Sequence, residues 1–283
     1  MDCSPTVTNA SSNLSKAPVD QRIVYADFLF VYKFYVGIGS FAVATNIIAI
    51  VTVLSNKHMR EKYGTFGVLS FGDMLNAISL VLAGAVRSSL IEANVYFPVN
   101  SFQCFGRPWP YFFIVGGQLP SFVLLFMSAE RLLAISYPLI YRTYVTGRTR
   151  IISNAGCVLL SVVSLIVGIC FSYLNRDICG SAACTVIGAT GRAYGTFNYA
   201  VIIFLPFIAL LFNCVGFLRA WRMNASANMR KELKKVFAMM VIAAVAVVLS
   251  AVPNIFLWGQ GVYWTVTNTS TSVLFLGARH VTR

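Results

Sequence analysis

The segment IISNAGCVLLSVVSLIVGICFS, residues 151–172, contains no charged side chain. A helix of about 20 mainly apolar residues is long enough to cross the hydrocarbon layer of a bilayer. In lipid the backbone must satisfy its own hydrogen bonds, so an isolated apolar segment has one stable form there, the α-helix. Similar segments occur at about 28–54, 65–86, 108–136, 194–218, 236–257 and 262–278, and this one extends over 151–173. Together they predict an all-α membrane protein, a seven-transmembrane helix bundle over residues 28–278. Residues 1–27 would form a tail before it and 279–283 a short tail after it.

The charge content agrees. Charged residues make up 11% of the 283 and hydrophobic residues 58%, whereas a soluble domain carries about 25% charged residues. Too few charges remain to cover a water-exposed surface. The net charge of +13 could suggest nucleic acid, but the basic residues lie in short runs between apolar segments. That distribution suits membrane topology, and no nucleic-acid partner is expected. Pro206 and Pro253 fall inside the fifth and sixth segments. Membrane helices tolerate such prolines because neighbours satisfy the freed backbone groups.

The basic residues also orient the chain. Fifteen of the 22 Lys and Arg lie after segments 1, 3, 5 and 7 or, for Arg131, at the end of segment 3. The rest are Lys16, Arg22, Lys33, Arg87, Arg107, Arg176 and Arg192. The positive-inside bias then places the N-terminus outside and the C-terminus inside. Residues 1–22 have no apolar core of the signal-peptide kind, so the first apolar segment is expected to do the targeting. Two glycosylation sequons in the tail, at Asn9 and Asn13, agree with an outer location. The last span is the weakest, short and polar (TVTNTSTS), with Trp258-Gly259-Gln260-Gly261 serving as the whole turn before it. It is either a shallow helix buried in the bundle or a place where the sequence lacks a piece.

Of the seven cysteines, Cys157, Cys170 and Cys214 lie within spans, where small packing residues are the ordinary use. Cys3, Cys104, Cys179 and Cys184 fall on the outer side, where oxidation is allowed. A bridge from Cys104 to the loop before span 5 would pin that loop over the outer mouth. Cys184 is the preferred partner and Cys179 the alternative, with Cys179–Cys3 as a further pairing. Sequence alone does not fix connectivity, and free thiols stay open.

Two places put charge into apolar surroundings. Asp73 lies mid-span in LSFGDMLNAIS. A carboxylate there is costly unless it faces the interior and finds partners. Asn46, Ser121, Asn268 and Ser272 are the candidates for an intramembrane polar network. The bland reading is a protonated carboxyl that seals helix contacts; the functional one is a site for a small cation or proton. Glu130 and Arg131 end the third span. Neighbours in sequence diverge around a helix, so they are not mainly each other's partners. Flanking charge at the water boundary accounts for them as they stand.

The stretch SAERLLAISYPLIYR, residues 128–142, resembles the D/E-R-Y and following Tyr-Pro signature of rhodopsin-like G-protein-coupled receptors. Asn46 is similar to the asparagine of that family's first helix, Asp73 to the aspartate of its second, and Cys104 to the cysteine opening its third. Pro206 and Pro253 resemble its helix-5 and helix-6 prolines. With LFLGARHVTR at the end, the chain looks most like nematode serpentine chemosensory receptors, the SX class. It also departs from the pattern. Leu132 replaces the motif's aromatic residue, Ser250-Ala251-Val252-Pro253 lacks the tryptophan switch, NPxxY is absent, and Pro120 interrupts the third helix.

The resemblance implies a ligand-biased two-state bundle in the plasma membrane. It would couple to a heterotrimeric G protein, with no cofactor, metal or catalytic residue. At rest Arg131 would be held by Glu130 and by Glu232, which precedes the sixth helix. Arg142, Arg219, Arg222, Lys231, Lys234 and Lys235 would meet the G protein and anionic lipid of the inner leaflet, although topology and lipid binding alone account for that cluster. The ligand mouth would comprise Phe112, Phe113, Gly117, Gln118, Asn198, Tyr199, Asn254, Trp258, Tyr263 and Trp264. These are aromatic and amide groups without a carboxylate, which disfavours an amine and suits a small, largely neutral molecule. An interfacial aromatic belt is the bland reading of the same residues.

Other classes fit less well. The last lysine is Lys235, so no lysine of the seventh span could hold retinal. The two histidines, His58 and His280, are too far apart in sequence to suggest a metalloenzyme. A small-solute transporter, or a receptor-like fold that does not signal, remains the alternative.

Overall fold

The structure is a computed structural model; it describes residues 25–222 other than 96 and 181, together with residues 237, 240, 241, 244, 245 and 248. Within these residues five helices are long and apolar enough to cross a membrane: Ala26–Ser55, Tyr63–Glu92, Pro108–Ser136, Gly147–Leu174 and Arg192–Arg222. They coincide with the first five expected spans and extend all but the third by a few residues. The seventh span and most of the sixth lie outside the described residues, and so do Asn9, Asn13 and Pro253. The described positions from 237 to 248 are helical; there the Phe237 ring lies 6.0 Å from that of Phe217.

In chain order the elements are α1 (Ala26–Ser55), α2 (Lys57–Glu92), β1 (Val99–Asn100), α3 (Ser101–Phe105), α4 (Pro108–Ser136), α5 (Pro138–Tyr144), α6 (Gly147–Leu174), β2 (Cys179–Gly180), α7 (Val186–Thr190) and α8 (Arg192–Arg222). Their starts follow from local chemistry. Asn56 caps α2 by accepting from the His58 N–H, and Thr146 caps α6 by accepting from the Thr149 N–H. Proline opens α4 and α5, where a missing N–H costs nothing. A non-helical Tyr63 (φ −119°, ψ 15°) separates the first turns of α2 from its membrane span.

α4 is the central element, packed against α2, α6 and α8, while α1 packs on α2. Ile114, Leu119 and Val123 of α4 are at most 1% exposed. Large apolar side chains such as Phe30, Phe41, Leu159 and Phe204 face outward, as they do where the surrounding solvent is lipid. Small residues set the helix spacing. A Cβ on Gly116 would run into the Asn76 backbone, and one on Gly72 would lie 2.7 Å from the Pro120 ring.

Pro120 does not interrupt the helix. α4 runs unbroken from Pro108 to Ser136 through it, and α8 likewise passes through the buried Pro206. The ring of Pro120 fits because its neighbour on α2 is a glycine.

At one end of the bundle two connections are fastened together. β1 and β2 pair antiparallel, Val99 opposite Gly180 and Asn100 opposite Cys179. The Ser101 N–H donates to the Ile178 carbonyl at 3.1 Å. This two-stranded sheet is an addition to the all-α expectation.

Candidate functional site

The fastened end carries the first candidate site. Cys104 and Cys184 form a disulfide, with Cα atoms 5.2 Å apart, while Cys179 is bonded in a different disulfide. The preferred pairing is therefore the one observed, and the Cys104–Cys179 alternative is not. Cys3 lies outside the described residues. Cys184 sits at φ 46°, a left-handed conformation rare for a non-glycine residue. Its carbonyl accepts from Trp109 Nε1 at 3.1 Å and from an Arg87 guanidinium N–H at 3.4 Å. The Arg87 guanidinium lies over two rings, Tyr32 of α1 and Trp109 of α4. Neither Arg87 nor this ring pair was expected at the site. In the sequence Arg87 is one of several outer basic residues, and only the folded chain puts it between two buried aromatics.

Below lie the described members of the expected ligand mouth. Phe113 of α4 meets Tyr199 of α8 edge-on, with ring centroids 6.2 Å apart. Gln118 Nε2 donates to Asn198 Oδ1 at 2.7 Å, and both residues are fully buried. Among the described residues Gln118 Oε1 and Asn198 Nδ2 have no hydrogen-bond partner. Phe112 is only partly buried, and a Cβ on Gly117 would meet Ile202 of α8. Phe113, Gln118, Asn198 and Tyr199 are thus brought together between α4 and α8. Asn254, Trp258, Tyr263 and Trp264 lie outside the described residues.

The expected intramembrane network is not joined within the described part. Asn46 donates to the Ala42 carbonyl of its own helix at 2.9 Å, and Ser121 to its own Gly117 carbonyl at 2.9 Å. Short polar side chains on a helix can always bond the preceding turn, so neither has to reach across to Asp73. Asp73 is exposed and has no hydrogen bond among the described residues. Asn268 and Ser272 lie outside them. A different interhelical bond does exist: Asn213 of α8 donates to the Ser128 hydroxyl of α4 at 2.7 Å, in the buried seam toward the other end.

At that other end Glu130 makes its hydrogen bonds and short ion pair with residues other than Arg131. The Glu130 carboxylate accepts from Arg150 of α6, at 2.7 and 2.9 Å, and from the Tyr141 hydroxyl of α5 at 3.0 Å. Arg150 closes the triangle by donating to the Tyr141 oxygen at 2.8 Å. Geometry explains the choice. Glu130 and Arg131 point to different sides of α4, while the α5 turn that starts at Pro138 brings Tyr141 back beside Glu130. Burial, followed by the hydrogen bond and charge of Glu130, holds the Tyr141 phenol above the usual tyrosine range. Arg131 is partly buried and makes no ion pair among the described residues. Arg142, Arg219 and Arg222 are exposed around this end. Glu232, Lys231, Lys234 and Lys235 lie outside the described residues. Tyr141 and Arg150 were missed as site residues because sequence spacing says nothing about which of several nearby charges a carboxylate will meet.

Comparison with known proteins adds the family level. A family model described as 7 transmembrane receptor (rhodopsin family) matches residues 45–276. The chain is 24% identical over 228 residues to an allatostatin-A receptor of Bombyx mori, a match that covers 75% of this chain. It spans 60% of the length of that relative.

Proposed function

This chain belongs to the seven-transmembrane receptor (rhodopsin) family, and from that premise we propose that it converts ligand binding at the disulfide-bonded end into activation of a heterotrimeric G protein at the Glu130 end. The carrying observation is the position of Arg131. It stands at the end of α4 opposite the disulfide, the end at which Arg142, Arg219 and Arg222 are exposed, with its neighbour Glu130 engaged by Arg150 and Tyr141. A guanidinium with no ion pair among the described residues suits, at that place, the inserted helix of a Gα subunit. In this reading the chain lies in the plasma membrane, with residues 1–27 outside and 279–283 inside. The basic end also meets anionic lipid.

The mouth between α4 and α8 is aromatic and amide-lined, which suits a ligand with an apolar body and few polar groups. The similar silkworm protein is a receptor by name, which supports the receptor class. The ending LFLGARHVTR and the Tyr-Pro stretch support a chemosensory receptor of the nematode serpentine kind.

The experiment is nucleotide exchange on purified heterotrimers by the full chain in lipid nanodiscs. Exchange above that of empty nanodiscs, and lower in Arg131→Ala, is expected. Exchange no faster than with empty nanodiscs would reject signalling. Solute flux into vesicles that carry the chain would favour a transporter instead, a reading that the exposed mid-span Asp73 keeps in play.

A further inference from the structure

We propose that Cys179 carries a redox-operated tether: a disulfide to Cys3 that ties the tail before α1 to the loop between α6 and α7. The tether goes beyond the receptor reading and does not depend on it. The chain has seven cysteines. Cys104 and Cys184 are bonded to each other, and Cys157, Cys170 and Cys214 are thiols. Cys179 is disulfide-bonded as well. One cysteine remains for it, and that is Cys3.

The loop side of the bond is a fixed post. Cys179 stands opposite Asn100 in the β1–β2 pair. The carbonyl of its neighbour Ile178 accepts from the Ser101 N–H at 3.1 Å and from the Ser101 hydroxyl at 3.3 Å. The Ser172 hydroxyl of α6 donates to the Ser101 carbonyl at 3.3 Å. Cys179 itself is exposed, at the outer end of the bundle, where a disulfide persists. The tail has the reach. The roughly 20 residues between Cys3 and Tyr25 extend to about 70 Å at most. Helix contacts run from α1 through α2 and α4 to α6. Neighbouring axes lie about 8–10 Å apart, so the tail covers that distance with length to spare. With Cys3 held at β2 and Tyr25 at the start of α1, the tail is fastened at both ends.

The two disulfides differ in what can reach them. Cys104 and Cys184 are 1% and 2% exposed, so an attacking thiolate is kept from their sulfurs. Exposed disulfides are the more readily reduced, and they include the regulatory ones. A dithiol in the outer medium attacks the exposed Cys179 sulfur. Cys3 leaves as a thiolate and takes up a proton. The second thiol of the reagent then displaces Cys179, which also leaves as a thiolate and is protonated. Two electrons and two protons pass to the protein, and the reagent becomes a cyclic disulfide. The tail is released at one end, while the Cys104–Cys184 bond keeps the same loop fastened to α3.

The test uses the full chain in nanodiscs with any N-glycans removed. Accessible thiols are blocked with N-ethylmaleimide, and tryptic peptides are mapped by mass spectrometry without reduction. Cuts after Lys16, Arg176 and Arg192 place Cys3 in peptide 1–16 and both Cys179 and Cys184 in peptide 177–192. Peptide 1–16 is expected joined to 177–192, and 177–192 joined to the Cys104 peptide as well. A dithiothreitol series follows, read by alkylation at every cysteine. Cys3 and Cys179 should open together, at roughly tenfold less reductant than Cys104 and Cys184. In Cys179→Ser, Cys3 should react with N-ethylmaleimide without reductant, and so should Cys179 in Cys3→Ser. The wild-type series decides the matter even where a variant does not fold. Alkylation of Cys3 before any reduction would overturn the pairing, as would its linkage to another cysteine or a Cys179 bond between two chains. Opening of Cys104–Cys184 first, or of both bonds at the same reductant, would overturn the switch.

Discussion

Glu130 pairs with Arg150, 20 residues further along the chain, at 2.7 Å, and not with Arg131 beside it. The pair ties the end of α4 to the start of α6, and Tyr141 of α5 closes it. The Glu130 side chain is 13% exposed and that of Arg150 34%. Pairs open to water contribute up to about 1 kcal/mol, and removing one partner of a buried pair costs about 3–5 kcal/mol. A coupling of about 1–2 kcal/mol lies between these limits. Glu130→Gln and Arg150→Ala should each lower the melting temperature, and the double variant should lose less than the sum of the two. Strictly additive losses in a double-mutant cycle would mean that the pair contributes nothing of its own.

Tyr141 gives the same cluster a pH signature. Its phenol holds the proton more tightly in the folded chain than in the unfolded one. The contribution is therefore complete below the ordinary tyrosine value of about 10 and is lost as pH rises through the higher folded value. Wild type should be more stable than Tyr141→Phe near neutrality, by about 1 kcal/mol for the lost hydrogen bonds. That advantage should shrink as the solution becomes alkaline. Parallel stability curves for the two proteins across this range would count against the assignment.

Gly116 sets the distance between α4 and α2. An added Cβ would fall on the Asn76 backbone, which cannot rotate away as a side chain could. Gly116→Ala should cost about 1–3 kcal/mol through overpacking. Gly156 of α6 has nothing within 4 Å of the same position, so Gly156→Ala should be neutral or slightly stabilising, as alanine favours a helix over glycine. Thermal unfolding in detergent separates the two, and a harmless Gly116→Ala would show that the helices are free to spread.

The buried amide pair makes an asymmetric prediction. Gln118→Leu leaves Asn198 in an apolar seam without its partner, and Asn198→Leu does the reverse. Each should cost about 1–3 kcal/mol. The double Leu variant removes both amides, together with the two groups that have no partner among the described residues, and should recover most of the loss. Should the double variant be as unstable as the two singles combined, the pair is not the isolated contact described.

Much of the fold could be read from the chain. The first five spans needed only apolar length, and the Cys104–Cys184 bond was the preferred one of the pairings that cysteines on one side of a membrane left open. Pro120 was misleading as a helix breaker, because the glycine that accommodates it belongs to α2 and lies 48 positions earlier in number, at Gly72. The candidate sites were legible as residue types but not as partnerships. Glu130 and Arg131 stood out in the sequence, yet Arg150 and Tyr141 did not. Asn46 and Ser121 looked like partners for Asp73, yet each bonds its own helix.

The division has a physical cause. Transfer into lipid acts on the summed hydropathy of some 20 residues, so composition along the chain is enough to determine the spans, and the distribution of Lys and Arg suggests their direction. Hydrogen bonds and ion pairs act over about 3 Å and depend on direction. Which carboxylate meets which guanidinium is then decided by helix rotation and by the turn between α4 and α6. The same holds for Arg87, an ordinary basic residue in the sequence that becomes a clamped cation only where α1, α2 and α4 converge.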